Sequence, residues 1–388
     1  MPTLTAPEPT TTPTATLPAA APAKKPFIRR HLLDNSQRIR HIIQIAFLAL
    51  NAWLGLKFYL WVRYFETNGQ SHYFSRPAGV EGWLPIAGLM NLKYFLTTRH
   101  IAAVHPAAMF LLVIFLLSSW LLKKSFCSWL CPVGTASEYL WHLGQQFFHR
   151  SLVLPRWLDI PLRSLKYILL AFFLFIVATL SAAGLQQFLL SPFGIVADVK
   201  MLNFFRHVGT IGIAVILTLV VLSTMIQNVW CRFLCPYGAL MGLVSLLSPV
   251  KIRRDQSACI DCNKCNKVCP SHLPVAQLIT IRSAECTGCL SCVAICPAEN
   301  ALNFALPPAN ISPTSFPTTP ETSASARSLA LSNARWHNRA LQPRTVAIIL
   351  AIIFFSLIGV ARATHHWQTN LPLSTYQQLV PHADNYVH

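Results

Sequence analysis

The sequence predicts a mainly α membrane protein, with five transmembrane helices in two pseudo-repeats and a small α+β domain after residue 250. Three observations predict it. The 388 residues are 53% hydrophobic and only 11% charged, with mean hydropathy +0.46, which is the composition of a membrane chain. Five apolar stretches alternate with basic segments. All 12 cysteines fall in short motifs, and the motifs come in pairs.

Residues 1–40 read as a disordered basic tail, because 1–26 hold seven prolines among Thr and Ala. Residues 41–250 read as a four-span membrane domain. A span needs about 20 apolar residues to cross roughly 30 Å of hydrocarbon. Ile42–Val62, Ile101–Leu122, Tyr167–Leu185 and Val208–Ile226 supply four. Lys57 lies near the end of the first and can snorkel to the interface. Between spans, Trp83–Thr98 and Phe188–Phe205 are apolar with a few polar residues and predict interfacial or re-entrant helices. Arg156–Lys166 predicts an interfacial lead-in to the third span. Residues 251–303 form the α+β domain. Residues 304–343 form a flexible linker, richest in Pro, Ser, Thr and Ala from Pro307 to Ala326. Residues 344–388 supply a fifth span, Thr345–Ala361, and a short outer tail.

Lys and Arg near span ends set orientation. They crowd the N-terminal flank (Lys24, Lys25, Arg29, Arg30, Arg38, Arg40), the second connection (Lys123, Lys124, Arg150, Arg156, Arg163, Lys166) and the segment after the fourth span (Arg232, Lys251, Arg253, Arg254, Lys264, Lys267). These flanks share one side, so the N-terminus and the α+β domain are expected in the cytoplasm and the C-terminus in the periplasm. The net charge of +18 is distributed as this rule requires, which argues against a nucleic-acid partner.

Eight cysteines form two copies of C-x-x-C-x-x-C-x-x-x-C-P: Cys259, Cys262, Cys265, Cys269 with Pro270, and Cys286, Cys289, Cys292, Cys296 with Pro297. This is the ligand run of bacterial two-cluster ferredoxins, in which the fourth Cys of each run ligates the other cluster. The pattern assigns Cys259, Cys262, Cys265 and Cys296 to a first [4Fe-4S] cluster. Cys286, Cys289, Cys292 and Cys269 belong to a second. Zinc would favour two C-x-x-C pairs, and disulfides would need an oxidising compartment.

The other four cysteines repeat in FCSWLCPVG (Cys127, Cys131) and WCRFLCPYG (Cys231, Cys235), offset by 104 residues. Thiols at i and i+4 share one helix face. The following Pro132 and Pro236 disfavour helix at Cys131 and Cys235 and suit the first turn of a new one. Each motif therefore predicts a helix break at the membrane face. Three readings stay open for the four thiols: an additional iron–sulfur centre, a redox-active dithiol, or a structural break. His105 and His207 open spans, where packing at the interface competes with haem ligation. His365, His366, His382 and His388 read as a solvated tail. No C-x-x-C-H run for covalent haem is present, and no P-loop or Gly-rich dinucleotide fingerprint.

Two span–C-x-x-x-C-P units followed by the double cysteine run resemble the NapH/MauN membrane polyferredoxins, with the membrane half of NosR and the CcoG (FixG/RdxA) proteins as relatives. The resemblance covers roughly residues 40–303. NapH-type proteins lack the long linker and fifth span, and CcoG-type proteins carry a folded outer domain that this chain lacks. The resemblance implies a bacterial inner-membrane, quinol-dehydrogenase-like component that carries electrons between the quinol pool and a redox partner protein. Two rivals remain: a copper-reducing maturation factor for a respiratory oxidase, which needs metal ligands at the outer face, and a non-enzymatic redox sensor.

Overall fold

The computed structural model describes residues 35–148, 152, 154–256, 258–307 and 340–386. The tail at 1–34 and most of the 304–343 linker lie outside them. Helix α1 (Ser36–Glu66) is 31 residues long, about 46 Å at 1.5 Å per residue. It ties the two ends of the molecule together. At its start Gln37 Nε2 donates to the carbonyl of Cys289 at 3.0 Å. Near its other end Phe58, Trp61 and Phe65 are buried in a distal core with Val80, Val104, Ile195, Val199 and Tyr376.

Helices α2 (Pro85–Thr98) and α3 (Pro106–Leu122) follow. The Ile101–Leu122 stretch yields only 17 helical residues. Pro106 sets the start, after His105 in the left-handed region, and Lys123 at φ +62 ends it. α3 is packed on most of its surface. Next come α4 (Ser125–Trp129), α5 (Pro132–Phe148) and α6 (Arg156–Thr179). The expected lead-in Arg156–Lys166 is continuous with the third span: Pro161 lies inside α6, where it gives up the bond to the Trp157 carbonyl without ending the helix. That span ends at Thr179, and Leu185 belongs to α7 (Ala182–Leu190). The Phe188–Phe205 segment is divided among α7, α8 (Pro192–Ile195) and α9 (Ala197–Arg206), with a break at Ser191 whose hydroxyl caps α8.

Helix α10 (Thr210–Met225) is 16 residues long and is bent by 81° from α9. A π-helical turn (Trp230–Leu234) precedes α11 (Pro236–Leu246). Among the described residues three helices are long and apolar enough to cross a bilayer: α1, α6 and α14 (Pro343–Ala363). The bent α9–α10 pair would make a fourth if it is one span. The expected count of five is therefore not reached by length, since α3 is too short and lies inside the bundle.

The α+β domain holds β1 (Lys251–Arg254) and β2 (Leu302–Ala305), paired antiparallel with Lys251 opposite Ala305, and the short α12 (Lys264–Val268) and α13 (Ser291–Ala294). Leu341 N donates to Phe304 O at 2.7 Å, so the chain entering α14 is stitched to β2. One hydrophobic core runs through both parts, joining Leu112 and Phe115 of α3, Trp129, Ile252, Ile281, Phe304 and Val346. After α14 the short α15 (Leu373–Leu379) folds back to bury Tyr376 in the distal core.

Candidate functional site

The two C-x-x-x-C-P motifs sit where helices break. α4 ends at Trp129 and α5 begins at Pro132, so Cys131 lies in the gap. Cys235 is the extended residue before Pro236, and its Sγ accepts from Gly238 N at 3.2 Å. Cys231 lies within the π-helical turn, a distortion that frequently marks functional sites. The two motifs bring the four thiols within electrostatic reach of one another. Burial raises the Cys231 thiol well above its ordinary value, and the charges of Cys131, Cys235 and Cys127 add to it. Burial pushes Cys127 up to about 12 and Cys131 up to about 11, with Cys235 contributing to both.

The two long cysteine runs interleave. Cys296 feels Cys259, Cys262 and Cys265, while Cys269 feels Cys289 and Cys286. Each fourth cysteine thus stands beside the other run. Cys265, Cys269 and Cys292 are buried, and Cys262 is exposed. The second run is seated on the membrane-face motif. Ser128 Oγ donates to Thr287 O at 2.7 Å, and Trp129 Nε1 donates to Gly288 O at 3.1 Å. Gly288 has φ +62, and a Cβ there would stand 3.0 Å from Ser125 Oγ and 3.3 Å from Leu122 O. Glu285, next to Cys286, accepts from Lys166 Nζ at 2.6 Å and Tyr167 Oη at 2.9 Å. The three thiol sets therefore form a row, from the C-x-x-x-C-P site to the second run to the exposed Cys262.

The donor set fits iron–sulfur clusters. A single tetrahedral zinc would demand sulfurs about 2.3 Å from a common centre, whereas a cubane takes one thiolate at each iron corner.

A cavity of 1220 Å³ reaches the four membrane-face thiols. Its walls include Phe47, Leu50 and Leu54 of α1 and Phe354 and Phe355 of α14, together with Cys127, Cys131, Cys231 and Cys235. Arg76, Arg362 and His365 line it as well. A second, polar cavity of 360 Å³ is also lined by Cys127 and Cys231, together with His41, Glu138, His142 and Cys289.

The histidines resolve differently from one another. His105 is buried, with Nε2 2.9 Å from Gly194 O and Nδ1 3.1 Å from Arg76, so both ring nitrogens are engaged in packing the distal end. His207 caps α9. His365 lines the large cavity, and His388 lies outside the described residues. Sequence reasoning missed the charged residues around the thiols. Arg40, Lys123, Lys124, Lys166 and Arg232 count as orientation signals in the sequence, yet all five are buried. Arg40 pairs with Glu138 at 2.5 Å and Arg232 with Asp159 at 2.7 Å. Their adjacency to cysteine motifs, as in Lys123-Lys124-Ser125-Phe126-Cys127 and Glu285-Cys286, was the available signal.

Comparison with known proteins agrees. A family model described as a 4Fe-4S binding domain matches twice, at residues 104–151 and 208–255. A 4Fe-4S dicluster domain matches residues 251–297. YccM of Escherichia coli (strain K12), whose name assigns it provisionally to electron transport, is 48% identical over 349 residues, covering 90% of this chain and 91% of that protein. The ferredoxin-type protein NapH of Haemophilus influenzae is 23% identical across 65% of this chain and 91% of its own. The ferredoxin-type protein MauN of Methylobacillus flagellatus is 22% identical across 42% of this chain and 54% of its own. No solved structure matches. The chain belongs to the NapH/MauN-type family of membrane polyferredoxins, and its role is iron–sulfur electron transfer in a multi-pass membrane protein.

Proposed function

We propose that the protein oxidises quinol drawn from the bilayer and delivers the electrons to a partner redox protein, with the C-x-x-x-C-P thiols as the redox site on the quinol side. The observation that carries this reading is the 1220 Å³ cavity. Its apolar walls suit a quinol ring and the start of an isoprenoid tail, and Cys127, Cys131, Cys231 and Cys235 line it. Leu50 and Phe355 line it and keep 40% and 69% of their surface exposed, which suits entry of a lipid-dissolved ligand between α1 and α14.

Cys259, Cys262, Cys265 and Cys296 would hold one cluster, Cys286, Cys289, Cys292 and Cys269 a second, and the four membrane-face cysteines a further centre. When bound, these clusters supply single-electron uptake and release. Phe47, Leu54, Phe115 and Phe126 exclude water from the ligand. The imidazoles of His41 and His142 line the polar cavity beyond Cys127 and Cys231 and offer acceptors for the two protons that leave with the two electrons. Cys262, exposed at the far end of the row, marks where a partner would approach. Orientation belongs to the same proposal, with the N-terminus and ferredoxin end cytoplasmic and the C-terminus periplasmic in a bacterial inner membrane.

The test is anaerobic addition of quinol to the lipid-reconstituted protein, read as bleaching of cluster absorbance. Leu54→Trp fills the cavity, so quinol bleaching should fall at least tenfold while dithionite bleaches as in wild type. Equal quinol bleaching in both proteins would remove the cavity from the pathway.

A further inference from the structure

Two consecutive lysines are buried between the thiol sites, and the electron-transfer reading does not by itself require them. Lys123 is 0% exposed and Lys124 2%. Among the described residues neither makes a direct ion pair with a carboxylate; Glu285, the carboxylate that acts on Lys124, makes its direct contact with Lys166. A buried ammonium without an anion costs several kcal/mol, so the surroundings must supply negative charge.

The two side chains part company at an unusual backbone. Lys123 adopts φ +62 and ψ −167 as α3 ends. Its Nζ donates to Ser283 O at 3.0 Å, on the loop leading to Cys286, and the charge of Cys286 offsets part of the burial that lowers Lys123. Lys124 faces the other way. Its Nζ stands 3.4 Å from the point where a Cβ on Gly238 would lie, and Cys235 Sγ stands 3.6 Å from that point. Cys127 is the first charge to act on Lys124, followed by Glu285 and then by Cys231 and Cys235, and Lys124 lines the polar cavity beside Cys127 and Cys231.

We propose that Lys123 and Lys124 are positioning residues that divide their charges between two iron–sulfur centres. Lys124 is the counter-cation of the centre held by Cys127, Cys131, Cys231 and Cys235, and Lys123 that of the centre held by Cys286, Cys289, Cys292 and Cys269. The proposal rests on the reading that the C-x-x-x-C-P thiols hold a centre. A thiolate-ligated cluster gains one negative charge when it takes an electron, so a fixed cation beside it favours the reduced form and raises its potential. With one cation assigned to each centre, neither is pulled far from the other in potential, and electrons pass between them without a large uphill step.

The experiment is an anaerobic redox titration of the full-length protein followed by electron paramagnetic resonance. Lys124→Gln should lower the potential of the membrane-face centre by about 59 mV, a tenfold shift for a one-electron couple, and leave the ferredoxin pair unmoved. Lys123→Gln should do the reverse. Lys124→Arg and Lys123→Arg should stay near wild type. If Lys124→Gln loses its centre while Lys124→Arg keeps it, the counter-cation role also stands. Loss in both, no shift in either glutamine variant, or both variants moving the same centre would overturn the proposal. A wild-type protein with only two centres and about eight irons would instead sink the underlying reading.

Discussion

At Gly134 a single methyl group separates a working motif from a broken one. A Cβ there would stand 2.3 Å from the carbonyl oxygen of Cys127, a backbone atom that cannot swing away. At the equivalent Gly238 the nearest atom is the flexible Lys124 Nζ at 3.4 Å. Gly134→Ala should therefore destabilise the protein by about 1–3 kcal/mol and disturb the four-thiol site, whereas Gly238→Ala should cost far less. Thermal unfolding in detergent and iron content compare the two. The interleaved runs make a second prediction. Cys296→Ser should remove the centre that contains Cys259, Cys262 and Cys265 and spare the one that contains Cys286, Cys289 and Cys292. Loss of the other centre instead, seen by electron paramagnetic resonance, would reverse the assignment. The cysteines were legible in the sequence because ligand spacing along the chain is itself the chemistry. Lys123 and Lys124 were not, because a lysine near a span end reads as a headgroup contact until its burial is known.

At the scale of elements, apolar runs located the helices, and local backbone chemistry set their ends. Pro106 and Lys123 trim the second stretch to α3, and the bend before Thr210 separates α9 from α10. Neither shortening follows from hydropathy, because a helix buried by its neighbours is as apolar as one in lipid. The distal end is held by charge. Arg76 pairs with Glu81 at 2.8 Å and Asp198 at 2.7 Å, joining the turn after α1 to α9, while Thr369 hydrogen-bonds Arg76 and Glu81 from the C-terminal tail. Burial alone would raise the Glu81 carboxyl, but Arg76 and His105 overcome it and hold it at about 2, below the ordinary 4.5. A depressed carboxylate stabilises the fold above its unfolded value and loses that contribution as pH falls toward its folded value. Wild type should therefore lose on the order of 3 kcal/mol from this group between about pH 5 and pH 2. Glu81→Gln should melt several degrees lower at pH 7, and the gap to wild type should close on acidification. A gap that does not vary with pH would mean that the network is not electrostatic in origin.

For the whole molecule, the composition break at residue 250 was visible in the sequence, but the seating of the ferredoxin part was not. Trp129 inserts between α3 and the second cysteine run, fully buried, with its indole N–H on Gly288 O. Trp129→Ala should cost about 3–5 kcal/mol and loosen that run from the membrane-face motif, seen as faster proteolysis of the ferredoxin part. Such seating is long-range packing, which no local pattern announces. It brings the second run beside the cavity's thiol lining and leaves Cys262 exposed at the far end of the row. In the proposed pathway the four C-x-x-x-C-P thiols join the apolar cavity to the ferredoxin clusters. The most direct measurement is quinol-dependent reduction of the ferredoxin clusters in Cys127→Ser, Cys131→Ser, Cys231→Ser and Cys235→Ser. Each variant should lose quinol-dependent reduction while its ferredoxin clusters remain assembled and reducible by dithionite. Normal quinol-dependent reduction in all four would contradict the account and leave the motifs as structural helix breaks.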